Sequence, residues 1–302
     1  MKDKRMAHLA LLCVAAIYSI NYIWAKDVMP AYVQSSGFIF LRVAGASILF
    51  FILHLSKGFS WPERADVGRL FLCGLLGVAG NQLFFFKGLS MTSPVNSSII
   101  MTISPLLVVL LGALLHKDKI SRNRWLGLAI AGGAALTLII AGSELNSIQS
   151  HPLGDFFILL NASFYSAYLV VVQPLMKKYP PVKVIQWVFM AGLCIVVPIG
   201  FNQVLEIEWT QLPSGILLRM SFVIVFTTFV AYLFNIYAVS KLGSATTGMY
   251  IYLQPFLASV FAALSGMEIP NLLQLMMGGL VIFGVFIGSM NTSVKKLGNT
   301  KA

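Results

Sequence analysis

The chain is short of acidic residues and of cysteine, and each shortage closes off a class of function. It has ten carboxylates in 302 residues: Asp3, Asp27, Glu63, Asp66, Asp118, Glu144, Asp155, Glu206, Glu208 and Glu268. None falls near the middle of an apolar run. A pump for lipophilic cations is expected to hold cargo and proton in turn on a membrane-embedded carboxylate, so that mechanism loses weight. An intramembrane enzyme needs a nucleophile with its base, a buried acid pair or a metal cluster, and neither H-E-x-x-H nor G-x-S-x-G occurs. The dipeptide Gly-Lys is also missing, which removes the Walker phosphate loop and any ATPase built into this chain. Cys13, Cys73 and Cys194 lie inside apolar runs without metal-ligand spacing and read as small buried apolar residues. The expectation is no cofactor and no metal.

Apolar residues fill the chain instead. They make up 58% of it against 10% charged residues, with a mean hydropathy of +0.85, far from the composition of a soluble domain. Ten runs stand out, at 7–25, 35–56, 68–90, 94–115, 124–142, 156–176, 184–203, 215–239, 245–265 and 271–290. At about 1.5 Å per residue each is long enough to cross a hydrocarbon core of about 30 Å. The connections are short, so the expectation is an all-α membrane protein with no extramembranous domain. The basic start, Lys2, Lys4 and Arg5, leads into a helix interrupted by Tyr18, Ser19 and Asn21 without a small-residue cleavage site, so the first helix is expected to stay.

The net charge of +11 suggests a nucleic-acid partner until its placement is considered. With both termini cytoplasmic, 17 of the 21 basic residues fall on inner segments, leaving Lys26, Lys87 and Arg219 outside and Arg42 within a helix. That asymmetry is the positive-inside signature of an even number of spans. It accounts for the charge through the bilayer and needs no nucleic acid.

The chain also repeats itself with a shift of about 147 to 150 residues. Ala16-Ile17-Tyr18-Ser19 is answered by Ser163-Phe164-Tyr165-Ser166, and Pro105, Ala113 and Leu114 by Pro255, Ala263 and Leu264. Two units follow, 1–150 and 151–302, each of five helices. An odd number of helices forces the second unit to enter the membrane inverted, the architecture of many alternating-access carriers.

Both units place polar and aromatic residues on matching helix faces. The first helices carry Tyr18 and Asn21 in one unit and Asn161, Tyr165 and Tyr168 in the other. The third helices carry Asn81, Gln82, Phe84 and Phe85, then Thr228, Tyr232 and Asn235. Facing lipid, such groups gain little, so they are expected to face the bundle or a hydrated cavity. The predicted substrate-binding set is Tyr18, Asn21, Asn81, Phe85, Tyr165, Tyr168, Tyr232 and Asn235, which suits an amphipathic small molecule. Pro105 and Pro255 are expected to kink the fourth helices. Arg42 is either an anion site or a structural cation on backbone carbonyls, the second being favoured. Lys26 and Lys87 are expected to snorkel to the interface, and His8, His54, His116 and His151 to be interfacial. Gly127, Ala131, Gly132 and Gly133, with Gly278, Gly279, Gly284 and Gly288, are expected to pack the last helices closely within one protomer, a dimer contact being the alternative.

Tyr18-Ser19-Ile20-Asn21-Tyr22-Ile23-Trp24-Ala25-Lys26, Asn81-Gln82-Leu83-Phe84-Phe85-Phe86 with Gly88-Leu89-Ser90-Met91-Thr92-Ser93, and Gly154-Asp155 with Tyr165 and Tyr168 resemble, in order and duplication, the EamA-type transporters of the drug/metabolite transporter superfamily. Asp118 and Glu268 stand where that family usually has an acid after the fourth helix. The resemblance implies a ten-helix inverted-repeat carrier whose cavity is lined by the first, third and fourth helices of each repeat, often exporting amino acids or other small metabolites. The expected function is therefore a secondary transporter in the cytoplasmic membrane, driven by a substrate gradient or protons, with the oligomeric state open between monomer and dimer. The alternatives are a multidrug efflux carrier, a facilitative channel and an intramembrane enzyme.

Overall fold

The computed structural model describes residues 2–56, 58, 60–115, 121–144, 151–242, 247 and 250–289. His116 and Asp118 lie outside the described residues, as do Lys57, Lys117, Lys119, Lys295, Lys296 and Lys301 among the basic residues of the inner segments. Among the described residues the chain is helical throughout, with no strand. Eight helices are long and apolar enough to cross a membrane: α1 (Asp3–Val28), α2 (Ser35–Ser56), α3 (Arg64–Met91), α4 (Pro94–Leu115), α5 (Arg122–Ile140), α6 (Pro152–Lys178), α7 (Pro181–Leu205) and α8 (Ser214–Val239). Two shorter apolar helices follow, α9 (Tyr250–Leu264) and α10 (Leu272–Gly288). Each of the ten expected runs overlaps one of these helices. This is a multi-pass membrane protein.

Several helices are irregular in ways that periodicity does not disclose. Helix α3 passes through a π-helical stretch at Leu75–Gly80, and α8 through another at Val223–Val230. Helix α4 breaks after Met101 and restarts at Ser104, so Pro105 is the second residue of a new helix, where a missing N–H costs little. The carbonyls freed at the break are taken by hydroxyls: Thr102 Oγ1 donates to Ile99 O and Ser104 Oγ to Met101 O, both at 2.7 Å. Helix α9 opens with a 3-10 turn, Tyr250–Tyr252, and Pro255 is the third residue of the α-helix that continues it. Both prolines therefore stand at helix starts.

The helices pack in a reciprocal pattern. Helix α1 lies on α8 and α9, α6 lies on α3 and α4, α2 lies on α7, and α5 lies on α10. Small residues set the closest approach. A Cβ at Gly127 would collide with the Gly284 carbonyl, and one at Gly284 would sit 2.7 Å from the Ala131 nitrogen. Gly132, Gly133 and Gly279 have nothing within 4 Å of the Cβ position. Gly127, Ala131, Gly284 and Gly288 thus join α5 to α10 inside the protomer, while the other three glycines point elsewhere.

Candidate functional site

Tyr18 on α1, Tyr165 on α6, and Tyr232 and Asn235 on α8 converge. Asn235 Nδ2 donates to Tyr18 Oη at 3.4 Å, and Tyr232, Tyr165 and Arg42 lie within electrostatic reach of Tyr18. The Tyr165 and Tyr168 rings lie 6.4 Å apart, and Phe189 and Phe50 wall Tyr232 at 5.6 and 6.2 Å between ring centroids. Tyr18, Tyr165 and Tyr232 lie deep in the protein, yet each keeps accessible surface. Deep enclosure with residual accessibility is what a side chain lining an internal cavity should have. Tyr168 is buried, and a Cβ at Gly77 would collide with its ring at 2.5 Å, so the glycine makes room for it.

Arg42 reaches this region from α2 with only 7% of its surface exposed. Its Nε donates to Thr228 Oγ1 at 2.6 Å, and its guanidinium carbon lies 5.0 Å from the centre of the Phe86 ring. Thr228 Oγ1 donates onward at 3.2 Å to Val223 O, a carbonyl of the π-helical stretch.

The remaining predicted residues take other places. Asn81 and Asn161 face each other and bond reciprocally across α3 and α6: Asn161 Nδ2 donates to Asn81 O at 2.7 Å and Asn81 Nδ2 to Asn161 O at 3.5 Å. They staple two helices. Phe85 packs on Tyr22, with ring centroids 5.4 Å apart. Asn21 is buried, and its Oδ1 has no hydrogen-bond partner among the described residues.

A second polar cluster sits where α1 and α3 end and α6 and α10 begin, and the sequence pattern did not single it out as a unit. Lys26 Nζ donates to Leu89 O at 3.3 Å and to Thr92 O, capping the end of α3. Thr92 Oγ1 donates to Asp155 Oδ1, and Asn96 Nδ2 donates to Asp155 Oδ2 at 3.2 Å. Gln274 Nε2 joins Asn96 Oδ1 at 2.8 Å to Glu268 Oε1 at 2.6 Å, while Val95 N donates to Glu268 Oε2 at 3.3 Å. Lys26 lies within electrostatic reach of both Glu268 and Asp155. It therefore does not snorkel. Gly154-Asp155 was visible as a motif, but nothing in one sequence tells a buried acid from one at the interface.

His54 also departs from its expected interfacial place. It is fully buried: Ser60 N donates to its Nε2 at 3.3 Å, which leaves Nδ1 to donate to Gln186 Oε1 at 2.6 Å.

The two halves exchange one bond in matched form. Ser19 Oγ lies 3.3 Å from Gln254 O, the carbonyl before Pro255, and Ser166 Oγ lies 3.1 Å from Ser104 O, the carbonyl before Pro105. Each serine also bonds the carbonyl four residues back, Ala15 O at 2.8 Å and Ala162 O at 2.6 Å.

Known proteins match the chain over nearly its whole length. A transporter of Bacillus subtilis described as uncharacterized, YyaM, is 25% identical over 98% of both chains. A WAT1-related protein of Arabidopsis thaliana, At3g53210, is 26% identical over 96% of this chain and 87% of its own. A probable terminal-alkyne amino-acid exporter of Streptantibioticus cattleyicolor is 23% identical over 85% of this chain and 84% of its own. A solved crystal structure, 16% identical and covering 95% of this chain and 98% of its own, superposes with a TM-score of 0.62, which shows a shared fold. Residues 5–140 and again 152–290 match the EamA-like transporter family. With its apolar helices, its duplicated match and its transporter relatives, the chain belongs to the EamA-like transporter family and is a membrane transporter, not an enzyme.

Proposed function

We propose that this protein is a secondary carrier that works by alternating access and exports small amphipathic metabolites, amino acids foremost, across the cytoplasmic membrane. The enclosed, accessible cluster of Tyr18, Tyr165, Tyr232 and Asn235 carries the proposal, because both halves of the chain contribute to it. Aromatic faces and neutral hydroxyl and amide groups suit a molecule with an apolar body and a few polar atoms.

The packing supports an inverted five-plus-five repeat over 1–150 and 151–302. Exchanging each helix for the one five places away turns the contact of α1 with α8 and α9 into that of α6 with α3 and α4, and leaves α2 with α7 and α5 with α10 unchanged. The crossed Ser19 and Ser166 bonds obey the same exchange. Two such halves can rock about a fixed central site and open it to either face. The positive charge on inner segments supports cytoplasmic termini. The relative named as a probable amino-acid exporter supports the substrate class, and the monomer, driven by a substrate or proton gradient, is the working unit.

Purified protein in proteoliposomes preloaded with unlabelled amino acids is expected to accumulate the labelled amino acid with saturable, trans-stimulated kinetics. Flux that rises linearly with concentration and ignores the trans side would replace the carrier with a channel. A cysteine introduced at Lys4 should be labelled by an impermeant maleimide only from the cytoplasmic face, and labelling from outside would reverse the orientation.

A further inference from the structure

We infer that Arg42 is the carboxylate-binding subsite of the central cavity, so that the cargo is a small carboxylic acid with an apolar body, carried in its ionised form. The inference rests on the carrier proposal above and deepens it.

The contrast between two cations of the bundle supplies the argument. Lys26 has the surroundings of a structural cation, with two backbone carbonyls as acceptors and two carboxylates within electrostatic reach. Arg42 has neither. Its hydrogen bond goes to the hydroxyl of Thr228, and no carboxylate pairs with it among the described residues, whose ion pairs join Lys178 to Glu63 and Asp66, Arg219 to Asp27, and Lys241 to Asp3. The groups within its electrostatic reach are the neutral phenols Tyr18 and Tyr232. A desolvated cation without a counter-charge is costly to keep, and an arriving carboxylate removes that cost.

The geometry prepares such a bond. Thr228 Oγ1 commits its proton to Val223 O and so presents a lone pair to Arg42 Nε. Phe86 lies against the guanidinium. With Nε held, Nη1 and Nη2 have no hydrogen bond among the described residues, and their parallel donors match the two oxygens of a carboxylate. Tyr18 Oη accepts from Asn235, which leaves its own proton for an anion. The same arrangement selects against amines. With no acid in contact with Arg42, a cargo bearing only positive charge meets a like charge in a poorly screened space.

The test uses the full-length protein in proteoliposomes with phenylalanine, phenylacetate, phenylalaninamide and phenethylamine as probes. Phenylalanine and phenylacetate should be carried at least tenfold faster than the amide and the amine. Arg42→Lys should keep that preference with weaker affinity, whereas Arg42→Gln should bring the acid-to-amide ratio close to one. Equal transport of acid, amide and amine by the unaltered protein would overturn the carboxylate subsite while leaving the carrier intact. So would an Arg42→Gln protein that slows acid and amide by the same factor. If Arg42→Gln does not fold, the preference of the unaltered protein decides. Failure to carry any of the four compounds would overturn the carrier proposal and this inference with it.

Discussion

Asn81 and Asn161 show how little a polar residue in an apolar helix reveals about its task. The sequence places Asn81 in one cavity with Asn235 and puts Asn161 on a face turned to the bundle or a hydrated cavity, and the residue types and spacings allow both. The structure instead turns Asn81 and Asn161 onto each other's backbone, whereas Asn235 reaches Tyr18. A side-chain amide satisfies backbone or cargo equally well, and only the neighbouring helix decides, so this choice lies outside the sequence. Asn161→Leu should lower stability by about 1–3 kcal/mol, the cost of leaving buried partners unsatisfied, seen as a lower unfolding temperature in detergent. Asn235→Leu breaks one long, half-buried bond, so it should leave the unfolding temperature nearly unchanged and impair transport instead. Lys26 and His54 follow the same logic: their positions near helix ends suggested the interface, but carbonyls at the end of α3 and the Gln186 amide hold them inside.

At the scale of the helix, the sequence marks where spans lie far better than how they are wound. The ten runs were legible because hydrocarbon thickness imposes a length. The π-helical stretches were not, since an extra residue per turn leaves composition unchanged. Their positions are nonetheless matched: both fall inside the third helix of their half, before Asn81 and before Tyr232. π-helical turns often accompany functional sites, and here one of them supplies the carbonyl that orients Thr228 against Arg42. The glycines of α5 and α10 give a sharper test. Gly127→Leu should destabilise the protein markedly, because its side chain would meet the α10 backbone, whereas Gly132→Leu, with open space around it, should be close to neutral. Thermal unfolding of the two variants side by side measures the difference; equal effects would mean that α5 and α10 do not meet as described.

For the whole molecule, the duplication was legible from the spacing that relates Tyr18-Ser19 to Tyr165-Ser166 and Pro105 to Pro255, and the family match covers both copies. What one sequence could not supply was the polar cluster of Lys26, Thr92, Asp155, Asn96, Gln274 and Glu268, because its members come from four separate places in the chain. The cluster ties both halves together at one end of the bundle. If that end must part for the cavity to open there, Asp155→Asn should loosen it. A cysteine placed at Ser97, which is fully buried, should then react faster with an impermeant maleimide applied from the side opposite the amino terminus. Unchanged labelling would mean that this end parts without breaking the cluster.

The crossed serine bonds also bear on how the chain is made. Ser19 waits for the carbonyl of Gln254, 235 residues later, and α2 and α5 wait for α7 and α10. A ribosome that has delivered only the first five helices has produced a half whose inward surfaces still lack partners. Biogenesis is therefore expected to finish late, with the nascent first half held open in the membrane until its counterpart arrives. Residues 1–150 and 151–302, synthesised as separate polypeptides in one cell, should find each other and restore function, while either alone should be degraded.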